Sequence, residues 1–126
     1  MHLLCYDSQG ERMEKILEQT LLYDFYGELL TQHQRQVYED VVLNDFSLSE
    51  VAENRGISRQ GVHDMIRRCN RSLEEYESKL HLVEKFLAIR ENVEKIRRLT
   101  RSPEKEPVSD VMRQIERIST DILEEL

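Results

Sequence analysis

The chain of 126 residues has little of what builds sheets, disulfide frameworks or membrane spans. It holds four glycines, two prolines and no tryptophan, and 34% of its residues are charged, a composition that favours helices over strands. Cys5 and Cys69 are too few for a disulfide framework, so we expect a reducing, cytoplasmic setting. We expect no membrane insertion, because no apolar run approaches about 18 residues. We expect no signal peptide, because the N-terminus lacks a basic region followed by a long enough apolar stretch.

The sequence also lacks the clusters that carry catalysis or bind cofactors. His33, His63 and His81 have no partners at metal-ligand spacing, and neither a glycine-rich phosphate loop nor a nucleophile elbow is present. We therefore expect a protein that is not an enzyme, with no cofactor and no bound metal.

The formal net charge of −7 is distributed unevenly. Residues 1–54 carry 3 basic and 11 acidic groups, whereas residues 55–71 carry five arginines against Asp64 alone. Such a basic patch on an acidic body can bind phosphates while repulsion elsewhere discourages non-specific contact. A second basic cluster is either a solvated face or an additional phosphate contact; it consists of Lys95, Arg97, Arg98 and Arg101.

The stretch Ser47–Arg68 has the spacing of a helix-turn-helix. Ala52 is small where two helices would cross, and Gly56 can adopt the left-handed conformation that ends the first helix. Ser58 is a good N-cap for the second helix, the one that would enter a nucleic-acid groove. The apolar residues that would close the corner are Val51, Ile57, Val62 and Met65.

Helical periodicity also surrounds this motif. Apolar residues recur at helical spacing from Glu14 to Leu30, and Thr31 with Gln34 forms a capping box that starts a helix running to about Asn44. Residues 102–107 predict a linker, because they contain both prolines of the chain.

From Val62 to Leu87 apolar residues alternate in steps of four and three, which predicts one long helix of about 25 residues or more. A shift of phase predicts a kink or break near residues 85–90. The later part of this seam would lie in the core or in a dimer interface; its residues are Leu73, Tyr76, Leu80, Val83 and Leu87. The amphipathic segment 108–126 must dock on its own domain or on another chain, and we expect a homodimer.

The second helix of the motif would carry the functional face. Gln60, His63, Arg67 and Arg71 share one side of it, away from the apolar seam, and Arg59 stands at its start. Arginine can bind guanine and glutamine can bind adenine, whereas Arg67, Arg68 and Arg71 are better placed for phosphates. The alternative is a solvated face, or a helix-turn-helix used for protein contact.

The stretch from Leu30 to Leu80 is similar to region 4 of sigma factors. The shared residues are Leu30, Thr31, Gln34, Ser49–Glu53, Gly56–Ser58 and Val62. Over about residues 13–90 the chain more closely resembles the YlxM family of small bacterial helix-turn-helix proteins. That resemblance rests on Tyr23–Tyr26, Leu29–Thr31, Ser58–Gln60, Val62, Asp64, Ile66, Arg68 and Leu73–His81. Gly61 departs from the pattern, since a helix-favouring alanine is expected there.

The resemblance implies an all-α helical bundle with a sigma region 4-like helix-turn-helix, akin to a winged helix without the wing, and a long following helix. The implied domains are an N-terminal extension 1–12, a helix-turn-helix domain 13–90 and a C-terminal helical appendage 91–126. The implied function is DNA-binding regulation, with a link to the signal recognition particle because family members are encoded beside its genes. The alternative is an accessory factor that contacts the particle's protein or RNA without binding DNA.

Overall fold

The computed structural model describes residues 8–101 and 107–126, with side chains from residue 14 onward. Every regular element in these ranges is helical, which confirms the predicted all-α class. The α-helices are α1 (Ser8–Tyr26), α2 (Gln32–Tyr38), α3 (Leu48–Arg55), α4 (Arg59–Leu80), α5 (Leu82–Arg101) and α6 (Val108–Glu125). A 3-10 turn, Gly27–Leu29, follows α1, and a π-helical turn, Glu39–Leu43, extends α2.

The chain forms two compact units, divided between His81 and Leu82. The first unit contains α1 to α4 and the whole helix-turn-helix. The second contains α5 and α6, so the division falls nine residues before the boundary expected at residue 90. Of the expected N-terminal extension, residues 8–12 belong to α1 and residues 1–7 lie outside the described residues.

Capping boxes start α2 and α3. The Gln34 amide donates to Thr31 Oγ1 at 3.2 Å while the Thr31 amide donates to Gln34 Oε1 at 3.0 Å, which confirms the first predicted box. Ser47 and Glu50 exchange the same pair of hydrogen bonds at the start of α3. Each box satisfies backbone donors that a helix start leaves unpaired, so both helices begin at fixed residues.

The turn between α3 and α4 has the predicted left-handed residue. Gly56 adopts φ +69° and ψ 31°, and the Ile57 amide donates to the Ala52 carbonyl at 3.1 Å. A Cβ at Gly56 would meet no atom within 4 Å. Glycine is therefore favoured at this position by its backbone conformation and not by lack of space.

The core of the first unit lies where α2, α3 and α4 meet. Val37, Val51 and Val62 have no exposed surface, and Ala52 completes this buried cluster at the helix crossing. Partly buried residues pack around it: Val41, Leu48, Ile57, Met65 and Ile66. The residues predicted to close the corner are thus confirmed as its interior.

Tyrosines connect α1 to the rest of this unit. The rings of Tyr23 and Tyr38 stack with centroids 5.2 Å apart, and Tyr26 lies 6.0 Å from Tyr76. Gly27 permits the approach of the first pair, since a Cβ there would lie 2.8 Å from the Tyr23 ring.

The prediction of one long helix with a kink near residues 85–90 is wrong. Helix α4 ends at Leu80, His81 adopts a left-handed φ of 56°, and α5 passes through residues 85–90 without interruption. A left-handed residue other than glycine is uncommon, and the apolar rhythm crosses His81 unchanged, so no residue marked the break.

The break divides the predicted seam between two helices. Leu73 is fully buried and Tyr76 is half-buried, but Leu80 at the end of α4 is 48% exposed. Val83, which is buried, and Leu87, which is half-buried, belong to α5.

The second unit is a helical hairpin. Helix α6 has 18 residues and packs along α5, yet only residues 102–107 separate the two helices. Six residues reach at most about 20 Å, less than the roughly 27 Å length of α6, so the helices run antiparallel. No described helix is long and apolar enough to cross a membrane.

We expect Gly56→Ala to lower the free energy of unfolding by about 1 kcal/mol, because alanine is strained at a left-handed φ. Gly56→Asn should lose less, since asparagine tolerates this region better. Urea denaturation followed by circular dichroism measures both. An alanine variant as stable as the wild type would show that the turn relaxes to another conformation.

Candidate nucleic-acid interface

The start of α4 is capped by Ser58, as predicted. The Gly61 amide donates to Ser58 Oγ at 2.9 Å, and the first turn of α4 contains no acidic residue. A Cβ at Gly61 would lie 3.0 Å from the same Oγ, so glycine leaves room for the capping hydroxyl. This contact gives a physical reason for the glycine that departs from the family pattern. The uncompensated N-terminus adds partial positive charge beside Arg59.

Two tyrosine hydroxyls hold α4 in position. Tyr38 donates to Asn70 Oδ1 at 2.7 Å, and Tyr26 donates to Glu77 Oε1 at 2.5 Å. Burial raises the pKa of the Tyr38 phenol well above its usual range, so the hydroxyl stays a donor throughout the physiological range. The helix is thus fixed to α2 near its middle and to α1 near its end.

All six predicted contact residues are exposed on α4: Arg59, Gln60, His63, Arg67, Arg68 and Arg71. Val62, Cys69 and Leu73 on the same helix are fully buried. Because a helix advances about 100° per residue, Arg67 and Arg71 point almost directly away from this buried side. The fold therefore presents the predicted face to solvent.

The arginines of this face have no partners within the part of the chain that the structure describes. Arg59, Arg67, Arg68 and Arg71 form neither a hydrogen bond nor an ion pair with any residue there. The last three, together with Asp64, line an open hollow of about 300 Å³. We call these four arginines the arginine face. Each guanidinium retains its donors for an external acceptor such as phosphate.

Asp64 interrupts the arginine face. It accepts a hydrogen bond from Gln60 Nε2 at 3.0 Å, and its Oδ1 lies 3.8 Å from His63 Nδ1. Arg68 lies four residues beyond Asp64, a spacing that permits an ion pair on a helix, but Asp64 bonds to Gln60 instead. This bond uses one of the two amide N–H donors of Gln60 and leaves the other donor and Oε1 for a ligand.

Arg55 is part of the basic stretch in sequence but not of the exposed face. Its Nη1 donates to Gln36 Oε1 at 3.0 Å, and its Nη2 donates to Asp40 Oδ2 at 2.9 Å. This arginine therefore joins the end of α3 to α2. Sequence analysis missed the role because the partners lie 15 and 19 residues away.

The second basic cluster lies on α5, in the other unit. Lys95, Arg97, Arg98 and Arg101 are all exposed, and Arg97 Nη1 lies 3.8 Å from Glu94 Oε1. This cluster and the arginine face thus belong to different units of the chain.

Cys69 is fully buried and is a free thiol. Burial raises its pKa, which the charge of Arg68 only partly offsets. The thiol is therefore protonated at neutral pH and packs as a small apolar group.

Two capped helices joined by a left-handed turn, with a buried core where they meet and an exposed face on the second helix, define a helix-turn-helix protein. Residues 13–118 match the UPF0122 family model, described as "Putative helix-turn-helix protein, YlxM / p13 like", and the chain belongs to this family. The match confirms the resemblance and extends it through α5 into α6.

Relatives are similar over most of their length. A UPF0122 protein of Thermoanaerobacter sp. (strain X514) is 43% identical over 114 residues, which cover 88% of this chain and 96% of the relative. One of Caldanaerobacter subterraneus subsp. tengcongensis is 51% identical over 84 residues, 67% of this chain and 72% of the relative. One of Bacillus thuringiensis is 43% identical over 103 residues, 82% of this chain and 92% of the relative.

We expect Tyr38→Phe to lower the free energy of unfolding by about 1 kcal/mol at neutral pH, because it removes the hydrogen bond to Asn70. The raised pKa predicts a pH dependence as well. The folded state keeps the phenol proton that the unfolded chain loses near pH 10, so this stabilisation is complete below about pH 10 and is lost above it. Wild type should lose stability more steeply than Tyr38→Phe between about pH 9 and 11.

Urea denaturation across this pH range measures both effects. A double-mutant cycle with Asn70→Ala should give a coupling of at least about 0.5 kcal/mol between the two side chains. If the free energy of unfolding fell equally for wild type and Tyr38→Phe over the alkaline range, this result would contradict the raised pKa of the buried Tyr38 phenol.

Proposed function

We propose that the chain is a regulatory protein that binds DNA with the exposed side of α4. The observation that carries the proposal is the arginine face, four guanidinium groups without partners among the described residues, on a helix whose opposite side buries Val62, Cys69 and Leu73. Family membership supports nucleic-acid binding in general.

The exposed side chains of α4 fall into two groups according to their position along the helix. Arg59, Gln60 and His63 occupy its first turns, the part of a recognition helix that reaches base edges. Arg67, Arg68 and Arg71 lie further along and suit phosphate oxygens, which guanidinium groups bind in bidentate fashion.

The charge pattern limits how much of α4 can contact DNA. From Arg59 to Arg71 the helix spans about 20 Å, and exposed Glu74 and Glu75 follow directly. Their carboxylates repel phosphates, as does the acidic segment 1–54. We therefore expect a short interface with few phosphate contacts, which makes the affinity of one chain modest.

Modest affinity is the reason to include a homodimer in the proposal. Two copies would present two arginine faces to one duplex, and two-fold symmetric operators match two-fold symmetric proteins.

A second candidate is an accessory factor that contacts the RNA or the protein of the signal recognition particle. The hydrogen bond between Gln60 and Asp64 favours this alternative, because it restrains a side chain that would otherwise be free to turn toward base edges. Structured RNA is recognised largely through shape and backbone. Titration of the particle's RNA and protein separately, against duplex DNA, distinguishes the two candidates by which ligand binds tightest.

We expect the double variant Arg67→Ala/Arg71→Ala to bind DNA at least about tenfold more weakly at low salt. The slope of log K against log salt should become about two units shallower, because two phosphate contacts are lost. Fluorescence anisotropy with genomic fragments upstream of its own gene, between about 50 and 200 mM salt, measures both.

The matched control is Lys15→Ala/Arg117→Ala, which removes two exposed basic residues outside the arginine face, one on α1 and one on α6. It should keep the wild-type slope. An unchanged slope in the Arg67→Ala/Arg71→Ala variant, or no binding of any fragment at low salt, would contradict the DNA proposal.

We expect Asp64→Asn to strengthen nucleic-acid binding several-fold at low salt, because it removes the one carboxylate inside the arginine face and keeps an acceptor for Gln60. The gain should shrink as salt rises, since it is electrostatic. Weaker binding by this variant would mean that Asp64 itself contacts the ligand, for example a cytosine amino group.

A further inference from the structure

The hairpin of α5 and α6 leaves apolar side chains in solvent. No residue of α6 is buried, although the helix packs along α5. Met112 is 65% exposed and Leu123 is 70% exposed; Val108 on the same helix and Val93 on α5 are exposed too. We call these four residues the apolar hairpin face.

Helical spacing places the four residues on one side of the hairpin. On each helix the less exposed residues that contact the partner helix form one row, which includes Ile96 on α5 and Ile118 on α6. Measured from Ile96 and Ile118, the exposed apolar residues lie about 60° to 140° further round each helix in the same rotational sense. A two-fold axis perpendicular to the plane of two antiparallel helices relates one helix to the other and preserves the sense of rotation. Residues displaced in the same sense on α5 and on α6 therefore lie on the same side of the hairpin.

The opposite side of the hairpin is charged. The positions a quarter turn in the other direction are Glu84, Glu91 and Lys95 on α5, and Asp110, Arg117 and Asp121 on α6. One side of the hairpin thus carries the exposed apolar residues, with Arg90 and Arg97 beside them on α5, and the other side is charged. An amphipathic hairpin of this kind is one half of a four-helix bundle.

The side chains of α6 leave a hollow beside the exposed Met112. An open hollow of about 550 Å³ on α6 is lined by Met112, Ile115, Ser109, Arg113 and Glu116. It can receive apolar side chains from a facing helix in the way that holes receive knobs in helical bundles.

The charges of α5 and α6 indicate which partner would cover the apolar hairpin face. Helix α5 carries six basic and three acidic residues, whereas α6 carries two basic and five acidic residues. The charges of the two helices sum to zero, so the helices of two copies do not repel, and α5 of one copy is complementary to α6 of another. The same difference in charge between the two helices holds at the edge of the apolar side, where α5 carries Arg90 and Arg97 and α6 carries Glu116.

We propose that the apolar hairpin face is covered by the same face of a second copy, with α5 of each copy beside α6 of the other in a two-fold four-helix bundle. This interface specifies the homodimer that the proposed function invokes. Its assembly does not require nucleic acid, so it is tested without DNA.

Light scattering on the eluting full chain should give twice the 15.1 kDa chain mass at micromolar concentration. Leu123→Glu and Met112→Glu should each weaken dimerisation at least about tenfold, because each places two charges in a symmetric interface. Both side chains are exposed, so the helix content measured by circular dichroism should not change.

The matched control is Leu17→Glu, the same chemical change at a leucine of α1 that is 60% exposed. It should leave the dimer mass unchanged. A dimer that Leu17→Glu disrupts and Leu123→Glu does not would place the interface in the first unit and overturn the proposal. A monomer for the wild-type chain at all concentrations would overturn it as well.

Charge inversion tests the pairing of α5 with α6. The variant Arg90→Glu/Arg97→Glu and the variant Glu116→Arg should each dimerise about tenfold more weakly at low salt. An equimolar mixture should recover the dimer, because each interface then joins opposite charges again. No recovery in the mixture would overturn the proposed pairing.

The outcomes for the dimer and for DNA remain distinguishable. An intact dimer that does not bind DNA counts against the arginine face alone. A monomeric wild type that still binds DNA counts against the hairpin interface alone.

Discussion

The packing of Val62 against Val37 and Val51 is the contact on which the functional arrangement depends. It sets the direction of α4, because Val62 lies in the first turn of that helix and has no exposed surface. Once that side of α4 is fixed inward, helical geometry alone turns Arg67 and Arg71 outward. The left-handed Gly56 and the Ser58 cap make this packing of Val62 possible, because they turn the chain so that α4 packs against α3.

Electrostatics explains why this outward face can be so basic in an acidic protein. Within residues 55–71, the arginines without a partner among the described residues are those on α4, whereas Arg55 is neutralised by Asp40 within the fold. Acidic residues then bound the arginine face, with Asp64 inside it and Glu74 just beyond. Such a pattern restricts both the extent and the orientation of any phosphate backbone that approaches, because displaced arrangements meet carboxylates.

Interactions between residues close in the sequence could be predicted, whereas interactions between distant residues could not. Gly56, Ser58 and the Thr31 capping box act within four residues, and their roles were predictable from local spacing. The pairing of Arg55 with Asp40 and that of Tyr38 with Asn70 join residues 15 and 32 positions apart, which no local pattern encodes. The break at His81 was missed for a different reason: its left-handed backbone has neither a glycine nor a proline to indicate it.

The two proposals are linked through salt dependence. One arginine face offers four guanidinium groups, and each phosphate contact contributes about 0.9 to the slope of log K against log salt on duplex DNA. A dimer that engages both faces would double that slope, and its second contact would be intramolecular, at a raised effective concentration. Disrupting the hairpin face should therefore halve the slope while leaving each arginine face intact. Removing arginines instead would reduce the slope without changing the mass of the protein. The mass of the protein and the salt slope together thus separate assembly from recognition, although both act on the same affinity.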